Sequence, residues 1–122
     1  MAKLEDLKIY QLAIKIRKEI WNLCSSFPSD EKYRLTDQLI RSSRKCPANL
    51  AEGFGRFHFQ ENIQYCRIVR ASLLETTDHL MVAWECEYIT LEQRNQYTVE
   101  VISLIKMLNN YINYLQKHKN ER

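Results

Sequence analysis

Glycine is scarce in this chain: two of its 122 residues are glycine and two more are proline. A chain of average composition would hold roughly 8 glycines and 6 prolines at this length. Tight turns that need a positive φ favour glycine, so this sequence supports few of them. The β-sandwich, the β-barrel, the Rossmann unit and the P-loop all use glycine at fixed places, and the composition argues against each. It favours long helices with few connections, within a single domain.

Apolar residues that recur three and four positions apart indicate four helices. Their expected bounds are about 7–26, 31–52, 59–87 and 91–117. Four helices joined by short connections are typical of a bundle in which sequential helices run in opposite directions. We therefore predict an all-α fold, an antiparallel up-down-up-down four-helix bundle that spans residues 1–122 as one domain.

Local signals place several helix boundaries. Ser29 or Asp30 is expected to cap the second helix, since both side chains accept hydrogen bonds from free backbone N–H groups. Thr90 and Gln93 have the spacing of a capping box at the start of the fourth helix. Pro47 lies inside the second helix, where it removes a backbone hydrogen bond, and it predicts a kink.

No apolar run approaches the roughly 20 residues that a membrane span needs. The first residues form no apolar signal segment, which predicts a cytoplasmic protein. The four cysteines lie 20 to 22 residues apart without a close pair: Cys24, Cys46, Cys66 and Cys86. Zinc ligands usually come in close pairs, so the spacing favours small buried residues, with disulfides as the alternative.

Two helices carry a second row of apolar and aromatic residues beside the main stripe. These are Tyr10, Ile14 and Trp21 on the first helix and Tyr97, Leu104, Met107, Tyr111 and Tyr114 on the fourth. One interpretation is a wide core face with aromatic edges. The other, which we favour, is an interface for self-association, because tyrosine, tryptophan and methionine are typical of interfaces.

Charge is unevenly distributed, although the formal net charge is only +3. Residues 32–70 hold eight basic and three acidic residues, whereas residues 71–100 hold one basic and six acidic residues. The candidate basic patch comprises Arg41, Arg44, Lys45, Arg56, Arg67 and Arg70. Such a patch binds nucleic-acid phosphates, meets the acidic part of another protein or copy, or is simply a solvated face.

Catalytic motifs are lacking. The nearest approach to a metal motif of helical bundles is Glu75 with Asp78 and His79, on one helix only and without a second copy. The sequence has no GxSxG, HExxH or Walker A motif. We therefore expect a non-enzymatic protein without a metal or cofactor.

One block is more specific than the rest: residues 46–56 read Cys-Pro-Ala-Asn-Leu-Ala-Glu-Gly-Phe-Gly-Arg. It resembles the signature Pro-x-Asn-Ile-Ala-Glu-Gly-(aromatic)-Gly-Arg of the four-helix-bundle proteins of the 23S ribosomal RNA intervening-sequence family. Weaker similarities at 7–11, 27–28, 35–41, 72–75 and 88–90 extend the resemblance over nearly the whole chain. The chain departs from the family at Arg44 and Lys45, which make it more basic, and at Glu87, where the family's usual glycine would cap the third helix tightly.

The resemblance implies a small antiparallel bundle that assembles as a homopentamer. Members of the family are often encoded inside intervening sequences of bacterial ribosomal RNA genes. The accessory variability proteins of diversity-generating retroelements are similar; they are basic pentamers that bind nucleic acid and associate with a reverse transcriptase. The low net charge of this chain fits the ribosomal branch better.

The signature residues also have a local interpretation. Gly53 and Gly55 are expected to let the second helix end and the chain reverse, with Pro47 one turn or more before them. Asn49 and Glu52 lie beside this turn and either bond backbone groups or bind a ligand. Taken together, we expect association with RNA through the basic patch; the alternative is a scaffold or protein-interaction subunit whose charges serve self-assembly.

Overall fold

Four α-helices account for most of residues 3–121, the part of the chain that this computed structural model describes. They are α1 (Lys8–Cys24), α2 (Leu35–Phe54), α3 (Phe59–Glu85) and α4 (Leu91–His118). Short 3₁₀ turns occupy Leu4–Asp6, Ser29–Glu31 and Lys119–Glu121. No strand occurs within these residues, which confirms the predicted all-α fold with four helices. None of the described helices combines the length and the apolarity needed to cross a membrane.

Each helix packs mainly against two others: α1 and α3 each contact both α2 and α4. The core that results contains fully buried side chains from every helix, among them Ile20, Leu39, Leu73 and Leu108. Burying a side chain of this size stabilises the fold by about 1.5–3 kcal/mol. The arrangement leaves one groove between α1 and α2 and another between α3 and α4, on opposite sides of the core.

The connection before α2 differs from the prediction. Ser29–Glu31 form a 3₁₀ turn, in which the Glu31 N–H donates to the carbonyl of Pro28 at 3.0 Å. The expected cap by Ser29 or Asp30 is therefore wrong: α2 begins four residues later, after Arg34, which makes no capping hydrogen bond.

The connection after α3 packs against the one before α2. The hydroxyl of Tyr88 donates to Glu31 Oε2 at 2.7 Å, and the Tyr88 ring lies 5.5 Å from that of Phe27. These contacts tie the α1–α2 connection to the α3–α4 connection. The predicted capping box at the start of α4 is confirmed, because Gln93 N–H donates to Thr90 Oγ1 at 3.1 Å and Thr90 N–H to Gln93 Oε1 at 2.9 Å.

The tight end of α3 persists although glycine is missing. Glu87 adopts a left-handed φ of 64°. Its N–H donates to the carbonyl of Trp84, and the N–H of Tyr88 donates to that of Ala83, both at 2.9 Å. This pair of bonds is the Schellman arrangement that usually places glycine at the left-handed position.

One residue of the predicted self-association surface belongs to the core. Leu104 is fully buried beside Val101 and Leu108, whereas the neighbouring Ile105 is only half-buried. The buried face of α4 is wide because α4 packs against both α1 and α3. The rest of that predicted surface divides in two. Trp21 and Tyr114 are exposed, whereas Ile14, Tyr10, Tyr97, Met107 and Tyr111 are half-buried, all but Ile14 against the core.

Candidate nucleic-acid interface

The predicted basic residues of α2 are all exposed, but two of them pair with carboxylates. Arg41 lies 3.7 Å from the carboxylate of Asp37, one turn earlier on the same helix. Lys45 lies 3.8 Å from Glu75 of α3. Exposed pairs at such distances contribute at most about 1 kcal/mol and exchange readily with a ligand anion, so both side chains remain available.

Arg56 is held at the α2–α3 connection by three neighbours. Its guanidinium donates to Glu52 Oε1 at 2.8 Å and to the Tyr65 hydroxyl at 2.7 Å, and it reaches Glu61 at 3.5 Å. The hydrogen bond that Arg56 donates to Glu52 raises the pKa of Arg56 above its ordinary value. This cluster joins the end of α2 to the start of α3 and engages both terminal nitrogens of Arg56.

The two remaining basic candidates lie on α3. Arg70 donates to Asn109 Oδ1 of α4 at 2.8 Å, so it lies on the side of the bundle that faces α4. Arg67 is exposed and makes no ion pair within residues 3–121. Of the six predicted basic residues, Arg56 and Arg70 thus bond neighbouring side chains, whereas four are exposed: Arg41, Arg44, Lys45 and Arg67.

The polar signature residues bond within the chain. Asn49 Nδ2 donates to the backbone carbonyl of Lys45, one turn earlier in α2, and Glu52 pairs with Arg56. Asn49 therefore bonds a backbone group, one of the two expected alternatives, although that group belongs to the helix; Glu52 bonds a side chain instead. Pro47 is buried inside α2, which continues past it to Phe54.

Only one of the two glycines, Gly55, lies at the end of α2. Neither has a positive φ. Gly53 lies within α2, where a Cβ would come within 2.6 Å of Asn62 Oδ1 and 2.8 Å of Tyr65 Cβ. Gly53 is therefore needed for the close approach of α2 to α3. Gly55 ends the helix with an ordinary φ of −76°.

A groove between α1 and α2 brings cations of the two helices together. Arg17, Lys18 and Trp21 of α1 and Arg44 of α2 line a hollow of about 330 Å³, with Asn22, Ile40 and Ser43. The guanidinium of Arg44 lies over the Trp21 ring, 5.2 Å from its centroid. None of the three cations makes an ion pair within the described residues.

The groove continues along α1. A second hollow, of about 520 Å³, is lined by Tyr10, Arg17, Arg44, Pro47, Ala48 and Ala51. Arg17 and Arg44 line both hollows, so they join the two. The sequence contains a signal for this groove, because Arg17 falls at helical spacing between Tyr10 and Trp21 in the second stripe of α1.

Nothing in the described part of the chain assembles a metal site, since no group of three His, Cys, Asp or Glu side chains comes together there. The arrangement at the α1–α2 groove can bind an anion and an aromatic ring side by side.

Comparison with known proteins identifies the family. The family model of the 23S rRNA-intervening sequence protein matches residues 5–110. A solved structure from the S23 ribosomal protein family of Bacteroides thetaiotaomicron, a protein described as of unknown function, has the same fold with a TM-score of 0.80. That structure is 23% identical, and the match covers 86% of this chain and 95% of the other. No curated protein matches the sequence. With most of its length matched by the family model, the chain belongs to the 23S rRNA-intervening sequence protein family.

Proposed function

We propose that this protein binds nucleic acid, without catalysis, through the basic groove between α1 and α2. The observation that carries the proposal is the convergence of Arg17, Lys18 and Arg44 on one groove without a carboxylate partner in the described chain. Unpaired cations that face a common hollow create a positive potential, which attracts phosphate groups. Arg41 and Lys45 on the exposed surface of α2 extend this basic surface, and Arg67 adds a further exposed cation on α3.

Phosphate binding has a characteristic dependence on salt. Each phosphate that a cation neutralises releases counterions, so the affinity falls steeply as the salt concentration rises. We expect the logarithm of the binding constant to fall linearly with the logarithm of the salt concentration, with a slope of roughly −0.7 to −0.9 per phosphate contacted.

The test is a fluorescence-anisotropy titration of labelled RNA from about 50 to 200 mM salt. Arg17→Glu combined with Arg44→Glu should reduce the affinity at least tenfold and flatten the salt dependence. A matched control, Lys106→Glu with Lys117→Glu, makes the same change in net charge at two exposed positions of α4 and should have little effect. Absence of binding by the wild type at low salt, or equal losses in both variants, contradicts the proposal.

A second candidate function, self-association, is favoured by the groove between α3 and α4. A hollow of about 360 Å³ there is lined by Leu74, Met81, Thr98 and Ile102, with Asp78 and Arg94 beside them and Thr77 completing the lining. Leu74 and Ile102 are 58% and 44% exposed. Apolar side chains exposed beside charges of both signs suit an interface between copies. We propose that copies of the chain associate through this face, as the pentamer that the resemblance implies.

Light scattering tests this second candidate. Leu74→Glu with Ile102→Glu should lower the mass of the assembly, whereas Tyr33→Glu, which changes an 83% exposed residue before α2, should not. The alternative, in which the basic residues serve self-assembly, predicts that Arg44→Glu with Lys45→Glu lowers the mass as well. A monomeric wild type contradicts both forms of self-association.

We also infer that neighbouring helices run antiparallel, as expected from the short connections. Thr76 of α3 donates to Ser42 Oγ of α2 at 2.9 Å, and Gly53, later in α2, lies against Asn62, earlier in α3. These two contacts support opposite directions for α2 and α3.

We infer that α2 bends at Pro47, because the proline nitrogen cannot donate to the carbonyl of Ser43. The angle between the two halves of α2 in a crystal structure tests this bend.

A further inference from the structure

Trp21 stands between two hollows of different chemistry. Its side chain is 55% exposed, although it is among the largest apolar groups of the chain. The Trp21 side chain lines the basic hollow together with Arg17, Lys18 and Arg44. A smaller hollow of about 190 Å³ is lined by Trp21 with Cys24, Ser25, Thr36 and Ile40, and it contains no charged side chain.

An exposed indole beside unpaired cations is suited to a nucleotide whose base is free. The flat face of any base stacks on an aromatic ring, which contributes substantially to single-strand binding and depends little on sequence. Arg44 lies over the indole and lines only the larger of the two hollows, so it does not fill the smaller one. The bases of a duplex are stacked on each other and cannot present a face to this ring.

Ser25 and Thr36 line the smaller hollow, and Asn22, next to Trp21 in the chain, lines the larger one. The Asn22 side chain is exposed and has no hydrogen-bond partner within the described residues. Ser25 Oγ donates to the Asn22 carbonyl at 2.6 Å, which leaves its lone pairs free as acceptors, and Thr36 adds a further hydroxyl. An amide and two hydroxyls can bond either donors or acceptors at a base edge, and this adaptability suits several bases.

The groove is long enough for more than one nucleotide. It runs from Trp21 back to Tyr10, about 16 Å along α1 at 1.5 Å per residue. Arg17 and Arg44 line both of its larger hollows and so lie along this path. Cations along a groove with an aromatic ring at one end form the usual arrangement for binding a single strand.

We propose that the groove between α1 and α2 binds a single-stranded segment of nucleic acid, with one base stacked on Trp21 and the adjoining phosphates on Arg17, Lys18 and Arg44. This inference rests on the proposed function and narrows it to one class of ligand. Duplex nucleic acid would contact the cations alone and would leave Trp21 uncovered.

The two tryptophans of the chain allow a direct test. Trp84→Phe leaves Trp21 as the only indole, and Trp21→Phe leaves only Trp84, which is half-buried with the Arg94 guanidinium 5.1 Å from its ring centroid. Each variant is titrated at low salt with a 12-nucleotide oligouridine and with an RNA hairpin of fully paired stem. We expect oligouridine to quench the fluorescence of Trp21 saturably, the hairpin to leave it unchanged, and neither ligand to affect Trp84.

The affinity of a third variant completes the test. Trp21→Ala should weaken oligouridine binding about tenfold while leaving hairpin binding unchanged, since only the single strand stacks on the ring. Because Trp21 is exposed, the variant is expected to fold, and its circular dichroism and thermal unfolding verify this. Equal binding of both RNAs with Trp21 unquenched overturns the inference and leaves the proposed function intact. Absence of binding to either RNA overturns both, and so does loss of assembly mass in Trp21→Ala without any RNA binding.

Discussion

Gly53 lies where the close packing of α2 on α3 leaves no room for a Cβ atom. A Cβ there would meet the Asn62 side-chain oxygen at 2.6 Å and Tyr65 Cβ at 2.8 Å. Asn62 is buried and donates to the hydroxyl of Tyr111, and a Cβ atom cannot move without its backbone. We expect Gly53→Ala to lower the free energy of unfolding by about 1–3 kcal/mol, because α2 and α3 must separate slightly. Urea denaturation measures this change in the free energy of unfolding.

Gly55 provides the matched control for this prediction. The nearest atoms to a Cβ at this position are 3.6 Å away, and its φ of −76° suits any residue. Gly55→Ala should therefore leave stability unchanged or raise it by about 0.4–1 kcal/mol, because alanine restricts the unfolded chain. Equal stabilities of the two variants would show that the close approach of α2 and α3 is not what requires glycine.

Glu87 adopts a conformation that costs energy for its residue type. Its φ of 64° is left-handed, and residues other than glycine pay about 1–2 kcal/mol there. Glu87→Gly should raise the free energy of unfolding by about 1 kcal/mol, since the hydrogen bonds of the Schellman turn are kept. Glu85→Gly removes the same charge from the last helical residue of α3 and should destabilise by about 0.5–1 kcal/mol. Thermal unfolding compares the stabilities of the two variants with that of the wild type. A loss of stability in both variants would contradict the left-handed conformation of Glu87.

The contact between α1 and α4 contains two carboxylates and one ammonium group. Lys15 Nζ lies 2.5 Å from Glu100 Oε1 and 3.4 Å from Glu19. The other oxygen of Glu100 is buried and has no hydrogen-bond partner within residues 3–121. Burial and the nearby Glu100 raise the pKa of Glu19. A donor on Glu19 would satisfy the unpaired oxygen, and the ionised carboxylate cannot supply one.

Glu19→Gln supplies that donor and should stabilise the protein at pH 7 by about 0.5–1.5 kcal/mol. A raised pKa in the folded state means that the wild type loses stability as the pH rises through the pKa of Glu19, whereas the variant does not titrate there. Its advantage should therefore be largest near pH 7 and shrink toward pH 4. Urea denaturation at both pH values measures this. Glu19→Ala lacks the donor and should show no such gain in stability. If Glu19→Gln is less stable than the wild type at pH 7, the ion pair between Lys15 and Glu19 contributes more to stability than the added donor does.

The helices were predictable because their apolar periodicity is strong, and Thr90 with Gln93 signalled the start of α4 correctly. The helix cap predicted at Ser29 or Asp30 was wrong because these polar residues suit a 3₁₀ turn and a helix cap equally well. The burial of Leu104 was missed because one apolar stripe was assigned to a helix that packs against two neighbours. The basic groove required tertiary structure, since Arg17 and Arg44 meet only when α1 packs on α2.

At the scale of the whole molecule, the reactivity of the four cysteine thiols shows whether the core is folded. All four are free: Cys24 on α1, Cys46 on α2 and Cys66 on α3 are buried, whereas Cys86 after α3 is exposed. Burial raises the pKa of Cys24 to about 11 and the pKa values of Cys46 and Cys66 to about 12. At pH 8 we expect one thiol per native chain to react rapidly with Ellman's reagent and four to react in denaturant, because only the thiolate attacks. Cys86→Ser should remove the rapid reaction.

The slow reaction of the three buried thiols tests whether the four helices unfold as one unit. These thiols lie on three helices of one continuous core, so a two-state unfolding would expose them together. We expect alkylation at intermediate urea concentrations, followed by peptide mass spectrometry, to give one common dependence on urea for Cys24, Cys46 and Cys66. Earlier modification of Cys24 would show that α1 separates first. Since α1 forms one wall of the proposed binding groove, such a separation would couple ligand binding to the opening of that helix, and oligouridine should then protect Cys24 alone.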